Sequence, residues 1–443
     1  MLPIRKKSIK VRYVQLCRLQ VAVLITVAAL DAADKAMLAA SFPILERTLS
    51  LDVATLGYFS MFANLSYALS LPLWSGLVHR HGVKKAHSIL ASSCFLWGVA
   101  TMLIAGSSTI TWQAIFRCVN GAALASILPL SQMMLVEFVP AALRGTSFGL
   151  MAFMENLSAT ASTSAVVWFD DWRVPYFVVG TLSILISSIV ERYLVIVHAK
   201  GAPGQNEHKM TMIQMFHRVR QIPTFFYLVC QGLFGAIPWD MMGFLLLLMK
   251  WRGFTPDQVV SIQFASGCCG TVGSLIGGIL GDHFSYLRNG RIYVGLFSVL
   301  SGATFYGLFL HSKSFHQALL WKSLFHLTGV WTPAATLRPI CAELARDQSE
   351  RAQIVAAWVL LEKTSSSLFG APLVGYLTER LFEQNDVASN SDKATVLANN
   401  MCILSSCFWS ICAYFFFLMR RPIQDVDRVE TVNKKDMLVL SKA

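Results

Sequence analysis

The sequence is poor in charged residues: Asp, Glu, Lys and Arg make up 14% of its 443 residues, whereas hydrophobic residues make up 55%. Soluble domains contain about 25% charged residues, and a water-exposed surface of this size could not be covered with so few. This low share of charged residues excludes an ordinary soluble enzyme and a disordered chain. The abundant residues, among them 29 Phe, 28 Gly, 17 Met and 11 Trp, are typical of helices that contact lipid and pack closely together. The sequence therefore predicts an all-α integral membrane protein.

Signatures of catalysis and of metal binding are also missing. The ten cysteines lie almost entirely in apolar runs, and none has a histidine at a metal-ligand spacing, so we interpret them as buried free thiols. The sequence contains no Walker-type loop and no nucleophile elbow. We therefore predict that the protein is not an enzyme, and that it binds no metal and no cofactor.

The formal net charge of +12 would suggest a nucleic-acid partner if the protein were soluble. Here the Lys and Arg residues lie in short segments between apolar runs. Such a distribution indicates membrane topology and contact with anionic lipid. We therefore predict membrane lipids as partners and no nucleic acid.

Runs of apolar residues divide the chain into twelve candidate membrane spans. A helix needs about 20 such residues to cross the hydrocarbon core. The runs lie at 19–46, 54–78, 87–106, 110–138, 144–168, 174–197, 224–249, 258–281, 291–311, 314–344, 352–379 and 397–419. Because their number is even, both termini are expected on the same side of the membrane.

The distribution of Lys and Arg indicates which side this is. When the termini are placed in the cytoplasm, every inner loop carries basic residues and the outer loops carry few. The predicted domains are a cytoplasmic basic N-terminus (1–18), a six-helix bundle (19–197), a cytoplasmic linker (198–223), a second six-helix bundle (224–419) and a cytoplasmic tail (420–443). One chain holds both bundles, so we expect a monomer to function. The sequence does not distinguish the plasma membrane from an organelle membrane.

A cluster of glycines and charges follows the second span of each bundle. The clusters comprise Gly76, His79, Arg80, Gly82, Lys84 and Lys85 in the first half, and Gly278, Asp282 and Arg291 in the second. They are about 200 residues apart, as expected for two parallel structural repeats. Glycines allow close helix packing and charges can bind the end of a partner helix. We predict a cytoplasmic gate; an ordinary basic loop is the alternative.

These clusters and the twelve spans resemble the major facilitator superfamily over essentially the whole chain. The clusters are similar to its motif in loops 2–3 and 8–9, although His79 replaces an acidic residue and Ser75 replaces a glycine. Within the superfamily the resemblance is closest to spinster-like transporters. Span one reads Asp-Ala-Ala-Asp-Lys at 31–35, similar to their Asn-x-x-Asp-Arg. Span four has Arg117, as the resemblance leads us to expect, but Leu124 stands where an acidic residue is expected.

The resemblance implies a fold of two pseudo-symmetric six-helix bundles and a secondary transporter that works by alternating access. It implies a small-molecule or lipid-like substrate, such as a lysolipid, a sphingolipid phosphate or another organic ion. It also implies a pair between Asp34 and Arg117, in which protonation of the carboxylate would free the guanidinium and couple transport to a proton gradient. A static pair that only orders the first bundle is the alternative.

Charged residues inside the spans are the main candidates for binding substrate or protons. An ionised side chain is costly in the bilayer, so it normally faces protein or a water-filled cavity. The candidates are Asp31, Asp34, Lys35, Arg117, Glu155, Trp239, Asp240, Lys322, His326, Glu362 and Lys363. Asp31 and Lys35 are four residues apart and share a helix face. They form either a local ion pair or, with Asp34, a site where two carboxylates compete and one stays protonated.

In the second half, Lys322 could hold an anion and His326 could titrate, with extension of Lys322 to the outer surface as the alternative. Glu362 and Lys363 are consecutive and point to different faces, so they cannot both face the cavity. Glu362 matches the family position, and this resemblance favours it for the cavity. Trp239 is expected to form an aromatic wall beside Asp240 at a break in span seven. Two further charged residues at the inner end of span ten, Arg338 and Glu343, are predicted to form part of the cytoplasmic gate, with a substrate site as the alternative.

The sequence thus predicts a secondary active transporter for a small organic or amphiphilic anion, with proton coupling. The mixture of buried cations and aromatic residues favours an anion. Two alternatives remain: a non-transporting receptor on the same fold, and a uniporter without proton coupling.

Overall fold

The structure is a computed structural model that describes residues 2–81, 85–139, 144–194, 223–287, 289–337, 340, 348–385 and 389–420. Except for their single residues Pro223 and Arg420, the predicted linker and the predicted tail lie outside these ranges. The chain divides into two compact units, Met1–Ala202 and Pro203–Ala443.

The described part of the first unit is helical throughout, apart from short turns. Its helices are α1 (Leu2–Thr48), α2 (Val53–His81), α3 (Ala86–Gly106), α4 (Ile110–Leu124), α5 (Ile127–Phe138), α6 (Arg144–Phe169) and α7 (Arg173–Tyr193). The predicted span 110–138 is interrupted between α4 and α5. Pro129 in the first turn of α5 has no N–H to donate to Ala125, which explains the interruption.

The described part of the second unit contains long helices as well as short helical pieces. They are α8 (Pro223–Gly235), α9 (Ile237–Met241), a 3₁₀ turn (Met242–Phe244), α10 (Leu245–Trp251), α11 (Pro256–His283), α12 (Gly290–Leu310), α13 (Phe315–Gly329), a π-helical turn (Pro333–Leu337), α14 (Gln348–Phe369), α15 (Ala371–Asn385) and α16 (Asn390–Met419). Pro238 and Pro372 each follow a break, in predicted spans seven and eleven, because proline removes a backbone donor.

Within the described residues, the helices follow the twelve predicted spans, six in each unit. Seven helical segments are long and apolar enough to cross a membrane by length and composition alone. They are Ala86–Gly106, Ile110–Leu135, Arg173–Tyr193, Pro223–Trp251, Pro256–Tyr286, Gly290–Leu310 and Asn390–Met419. The long helix α1 is not among them, and its apolar part, residues 19–45, carries three charged residues at positions 31, 34 and 35.

Glycines set the spacing of the helices that carry the polar residues. A Cβ atom on Gly98 of α3 would lie 2.7 Å from the carbonyl oxygen of Gly180 on α7. Gly121 of α4 packs directly on the backbone of Ala63 in α2. In the second unit, a Cβ atom on Gly302 of α12 would lie 3.1 Å from the Cα atom of Gly329 at the end of α13. Small residues therefore let these helices pack at short range, as is common in membrane bundles.

We predict that Gly98→Val destabilises the protein, because the added side chain must push α3 and α7 apart. The expected loss is about 1–3 kcal/mol, as for other overpacked interiors. Thermal unfolding of the purified protein in detergent measures it. Gly149→Val is the matched control, since a Cβ atom at Gly149 in α6 would meet no described atom within 4 Å. Equal melting temperatures for the two variants would contradict the close α3–α7 packing.

Candidate functional site

A buried polar cluster joins three helices of the first unit. Asp34 on α1 accepts hydrogen bonds from Thr101 on α3 and from Asn120 on α4. The Thr101 Oγ1–Asp34 Oδ1 distance is 2.9 Å and the Asn120 Nδ2–Asp34 Oδ2 distance is 3.0 Å. Asn120 also lies 3.0 Å from the Thr101 hydroxyl. All three residues are buried, so both oxygens of the carboxylate are satisfied without contact with water.

Arg117 lies on the same helix as Asn120 but has a different set of neighbours. Its side chain is 2% exposed. Its Nη1 atom donates to the Tyr176 hydroxyl of α7 at 3.3 Å, and its guanidinium lies 5.2 Å from the ring centroid of Phe59 on α2. Its Nε and Nη2 atoms are buried and have no hydrogen-bond partner among the described residues. The guanidinium is therefore held by aromatic rings and one neutral hydroxyl.

The predicted pair between Asp34 and Arg117 is not formed. Among the described residues, Arg117 forms no ion pair, because the oxygens of Asp34 are occupied by Thr101 and Asn120. The residues predicted from the sequence do not include Thr101 and Asn120, the partners of Asp34, or Tyr176, the partner of Arg117. The signal that could have found Asn120 is its position one turn after Arg117 in an otherwise apolar helix, where an uncharged polar side chain also needs a partner.

A second group of charges lies near one face of α1. Lys35 donates to Asp31 through Nζ and Oδ2 at 2.7 Å, and its Nζ atom lies 4.7 Å from the ring centroid of Tyr67. The other carboxylate oxygen of Asp31 is buried without a partner among the described residues. Glu155 on α6 is half-buried and interacts electrostatically with both Asp31 and Lys35. The local ion pair is thus present, and a second carboxylate lies near it.

In the second unit, Lys322 is buried rather than extended to the outer surface, with 3% of its area exposed. Its Nζ atom donates to Gln263 Oε1 of α11 and lies 5.9 Å from the ring centroid of Phe309 on α12. Like Arg117, it forms no ion pair with any carboxylate in the described part of the chain. His326 Nδ1 lies 3.0 Å from the carbonyl oxygen of Lys322, a contact within the helix.

Asp240 has a structural partner. Its Oδ2 atom accepts a hydrogen bond from the backbone amide of Ala371 at 3.0 Å, and Ala371 begins α15. Gly370 allows this approach, since a Cβ atom there would lie 2.6 Å from the Cβ atom of Asp240. A carboxylate at the first amide of a helix is a stabilising cap. The geometry thus gives Asp240 a capping role, which the sequence analysis did not foresee.

Trp239 belongs to an aromatic cluster. Its ring lies 5.4 Å from that of Phe325 and 6.4 Å from that of Trp409. Tyr306 and Trp409 are 5.4 Å apart, and Tyr306 and Phe325 are 5.3 Å apart. Trp239 keeps 39% of its area exposed, whereas Phe325 and Tyr306 are fully buried.

Glu362 and Lys363 point to different environments, Glu362 being half-buried and Lys363 exposed. Within the described residues, the carboxylate of Glu362 makes no hydrogen bond and no ion pair. Its neighbours include Cys412 of α16, with which it interacts electrostatically. Nearby, Ser365 donates to the carbonyl oxygen of Leu233 in α8 at 2.7 Å. The serine joins α14 to α8, as the close-packing interpretation of small residues implies.

The predicted gate is described only in part. Asp282 pairs with Arg291 at 3.2 Å, and Arg80 and Lys85 are exposed. The side chain of His79 and the residues Gly82, Lys84, Arg338 and Glu343 lie outside the described part of the chain.

The gate glycines do not pack as the sequence suggested. A Cβ atom on Gly76 or Gly278 would meet nothing described within 4 Å. Gly277 and Gly281 instead pack against Trp331 and Ala335. Their four-residue spacing was the available signal, because residues four apart share a helix face.

No cluster of three or more His, Cys, Asp or Glu side chains that could hold a metal ion occurs among the described residues. The cysteines with described side chains are free thiols.

The chain is similar to several known proteins in sequence and in structure. The model of the Major Facilitator Superfamily matches residues 24–371. The niacin transporter NiaP of Acinetobacter baylyi is 22% identical over 196 residues, which cover 44% of this chain and 44% of that protein. The probable sulfoacetate transporter SauU of Cupriavidus necator is 23% identical over 291 residues, which cover 60% of this chain and 65% of that protein. The chain thus spans less than two thirds of the length of these curated relatives.

Among solved structures, the chain is similar to a bacterial homologue of the human lysosomal transporter Spinster in an inward-facing and unoccupied conformation. The TM-score is 0.78, the sequence identity is 16%, and the match covers 93% of this chain and 98% of that one. At this identity the likeness concerns the fold.

We predict that Asn120→Ala lowers stability, because it removes a donor from the buried carboxylate of Asp34. The expected loss is about 1–3 kcal/mol, the usual cost of an unsatisfied buried polar group. Thermal unfolding measures it in the natural background and in an Asp34→Ala background, where the loss should shrink. Asn156→Ala is the control, since the hydrogen bond of Asn156 in the described part of the chain goes to its own helix, at the carbonyl oxygen of Ala152. A loss of the same size in both backgrounds would show that Asn120 does not act through Asp34.

Proposed function

The chain belongs to the major facilitator superfamily, and from this premise we propose that it is a proton-coupled secondary transporter that moves a small organic anion across a membrane by alternating access. Its fold is the all-helical, multi-pass membrane fold of that superfamily, with two six-helix halves. Both the family and the transporter names of its relatives point to a transporter and not to an enzyme.

The observation that carries the anionic substrate is the environment of Arg117. A buried guanidinium without a counter-ion is costly, and an anion that binds to its free Nε and Nη2 atoms would satisfy it. Arginine is well suited to this role because its planar fork matches a carboxylate or a phosphate. The relatives support the same class, since niacin and sulfoacetate are organic acids that are ionised near neutral pH. A lysolipid-like anion belongs to this class and to the proposal.

Proton coupling is supported by the hydrogen bonds around Asp34. Thr101 Oγ1 lies close to both Asp34 Oδ1 and the carbonyl oxygen of Trp97, at 2.9 and 3.0 Å. When Asp34 is ionised, the Thr101 hydroxyl donates to it. When Asp34 is protonated, it donates to Thr101, whose hydroxyl then donates a hydrogen bond to the carbonyl oxygen of Trp97. Asn120 can donate to the other oxygen in both states, so the cluster accommodates a proton without moving heavy atoms.

Asp31, Lys35 and Glu155 supply a second possible proton site. Two carboxylates near one ammonium group leave a net negative charge, which protonation of one carboxylate would remove. We propose that Asp34 is the main site and that Glu155 assists, because Glu155 is half-buried and lacks a hydrogen bond among the described residues. Glu362, similarly unpartnered in the described part of the second unit, is proposed to line the transport path.

The same proposal includes the orientation of the termini, the working unit and the cytoplasmic gate. Both termini are cytoplasmic, a single chain is the working unit, and the glycine-and-charge clusters close the cytoplasmic side. The pair between Asp282 and Arg291 supports this assignment for the second half. Its charged groups are partly exposed and are suited to exchange partners, because exposed pairs contribute little energy.

We predict that purified protein in liposomes takes up an organic anion, such as nicotinate, sulfoacetate or a lysophospholipid, faster when a pH gradient is imposed. Arg117→Gln should lower this flux at least about tenfold, since a buried charge contact with the substrate is lost. Arg380→Gln is the matched control, because Arg380 is exposed and its partners among the described residues, Tyr376 and Glu383, lie on its own helix. Radiolabelled uptake measures both.

We also expect Asp34→Asn to transport without response to the pH gradient, because the amide cannot exchange a proton. Full, gradient-dependent flux in Asp34→Asn would disprove coupling at this residue. If flux in the natural protein did not depend on the pH gradient, the protein would be a uniporter. If it bound the anion without transporting it, the protein would be a receptor. Equal flux of nicotinate and nicotinamide would contradict the anionic substrate.

A further inference from the structure

Lys322 occupies the position in the second unit that Arg117 occupies in the first. Helices α4 and α13 are both 15 residues long, and in each the buried cation is the eighth residue. Each cation lies beside a phenylalanine ring, Phe59 or Phe309. Each also lacks a carboxylate partner among the described residues. Because the two halves are structural repeats, this correspondence indicates that both cations serve the same purpose.

The packing of α12 against α13 fixes what surrounds Lys322. The helices are in contact where Gly302 meets Gly329. Farther along, Tyr306 lies beside Phe325, and Phe309 lies beside Lys322. Tyr306 and Phe309 share one face of α12, and Lys322 and Phe325 share one face of α13, since each pair is three residues apart. The cation and the aromatic cluster are therefore neighbours along a single helix–helix contact.

Two buried donors at this contact lack acceptors. A lysine ammonium has three protons, and the acceptor that the described residues offer Lys322 is the single Oε1 atom of Gln263. The Tyr306 hydroxyl is fully buried and has no hydrogen-bond partner among the described residues. Buried donors are normally satisfied. Both donors belong to the α12–α13 contact, and their unused protons point to an acceptor-rich group supplied by a ligand.

The aromatic cluster suggests the rest of the ligand. Phe325 contacts Trp239, Tyr306 and Trp409. The indole of Trp239 remains 39% exposed, so part of its surface is open to a further ring. Aromatic rings stack favourably on one another beyond the area that they bury. A planar ring is thus better matched to this surface than an acyl chain.

We infer that this contact is a subsite for an aromatic carboxylate: Lys322 binds the carboxylate, and Trp239 with its aromatic neighbours packs the ring. The inference rests on the proposed function and narrows its substrate class. The groups that face Lys322 from the packed elements are Gln263 of α11 and Phe309 of α12, so no described protein carboxylate takes the place of the ligand.

The test is the binding of four probes to the purified full-length protein in lipid nanodiscs, measured by calorimetry. Benzoate has both the ring and the charge, benzamide lacks the charge, cyclohexanecarboxylate lacks the aromatic ring, and a lysophospholipid is an anion with an acyl chain. Benzoate should bind about tenfold more tightly than benzamide, since a charge-assisted hydrogen bond is lost. It should also bind more tightly than cyclohexanecarboxylate and the lysophospholipid.

Three variants locate the effect. Lys322→Met should remove the preference for benzoate over benzamide, and Lys322→Arg should keep it. Lys313→Met is the matched control, because Lys313 is an exposed lysine that precedes α13, and it should bind like the natural protein. Trp239→Leu should remove the preference for benzoate over cyclohexanecarboxylate while keeping the preference for charge.

Several results would overturn the inference. Equal binding of benzoate and benzamide to the natural protein would do so without any variant, even if Lys322→Met failed to fold. An unchanged charge preference in Lys322→Met would also overturn it, and tighter binding of the lysophospholipid would reject the aromatic class. In these cases anion flux that depends on Arg117 would leave the proposed function intact. If the natural protein binds none of the anionic probes and transports no organic anion, the proposed function itself fails.

Discussion

The structure depends on one constraint: a charged group buried among apolar helices must find a partner. Two carboxylates of the spans find such a partner within the protein: Asp31 pairs with Lys35 on its own helix, and Asp240 accepts from the first amide of α15. Asp34 obeys it with two neutral donors. Arg117 and Lys322 have aromatic rings and neutral oxygens but no described anion. These two cations are the basis of the proposed anion binding, because uncompensated buried charge is retained where a ligand supplies the compensation. Glu155 and Glu362 also lack a hydrogen bond among the described residues.

The two halves of the fold hold these two cations at corresponding helix positions. The first half holds Arg117 and a carboxylate whose hydrogen bonds suit both protonation states. The second half holds Lys322 at the corresponding helix position, beside an aromatic cluster and without an equivalent carboxylate among the described residues. We propose that the first half serves both proton exchange and anion binding, and that the second half recognises the ring and the carboxylate of the substrate. Glycines such as Gly121 and Gly302 allow the helices that carry these polar side chains to pack closely on their neighbours.

The fold and the membrane location could be predicted from the sequence, because they follow from long apolar runs, the scarcity of charge and the repeated glycine clusters. The predicted linker, tail and parts of the gate stay predictions, since they lie outside the described residues. The candidates were chosen by charge, so Arg117 and Lys322 could be singled out but their partners could not. Asp34 binds Thr101 and Asn120 rather than Arg117, and Asp240 caps a helix 131 residues away in sequence. Both outcomes depend on helix contacts that no local pattern contains.

The central claim is that the two buried cations are reserved for an anion from outside the protein. The most direct test is an experimental structure of the full chain with 4-iodobenzoate, located by the anomalous signal of iodine. The account predicts a carboxylate within hydrogen-bonding distance of Lys322 or Arg117, with the iodinated ring against aromatic side chains. A map in which Asp34, Glu155 or another protein carboxylate pairs with these cations, and the iodine signal lies only among lipid, would contradict it.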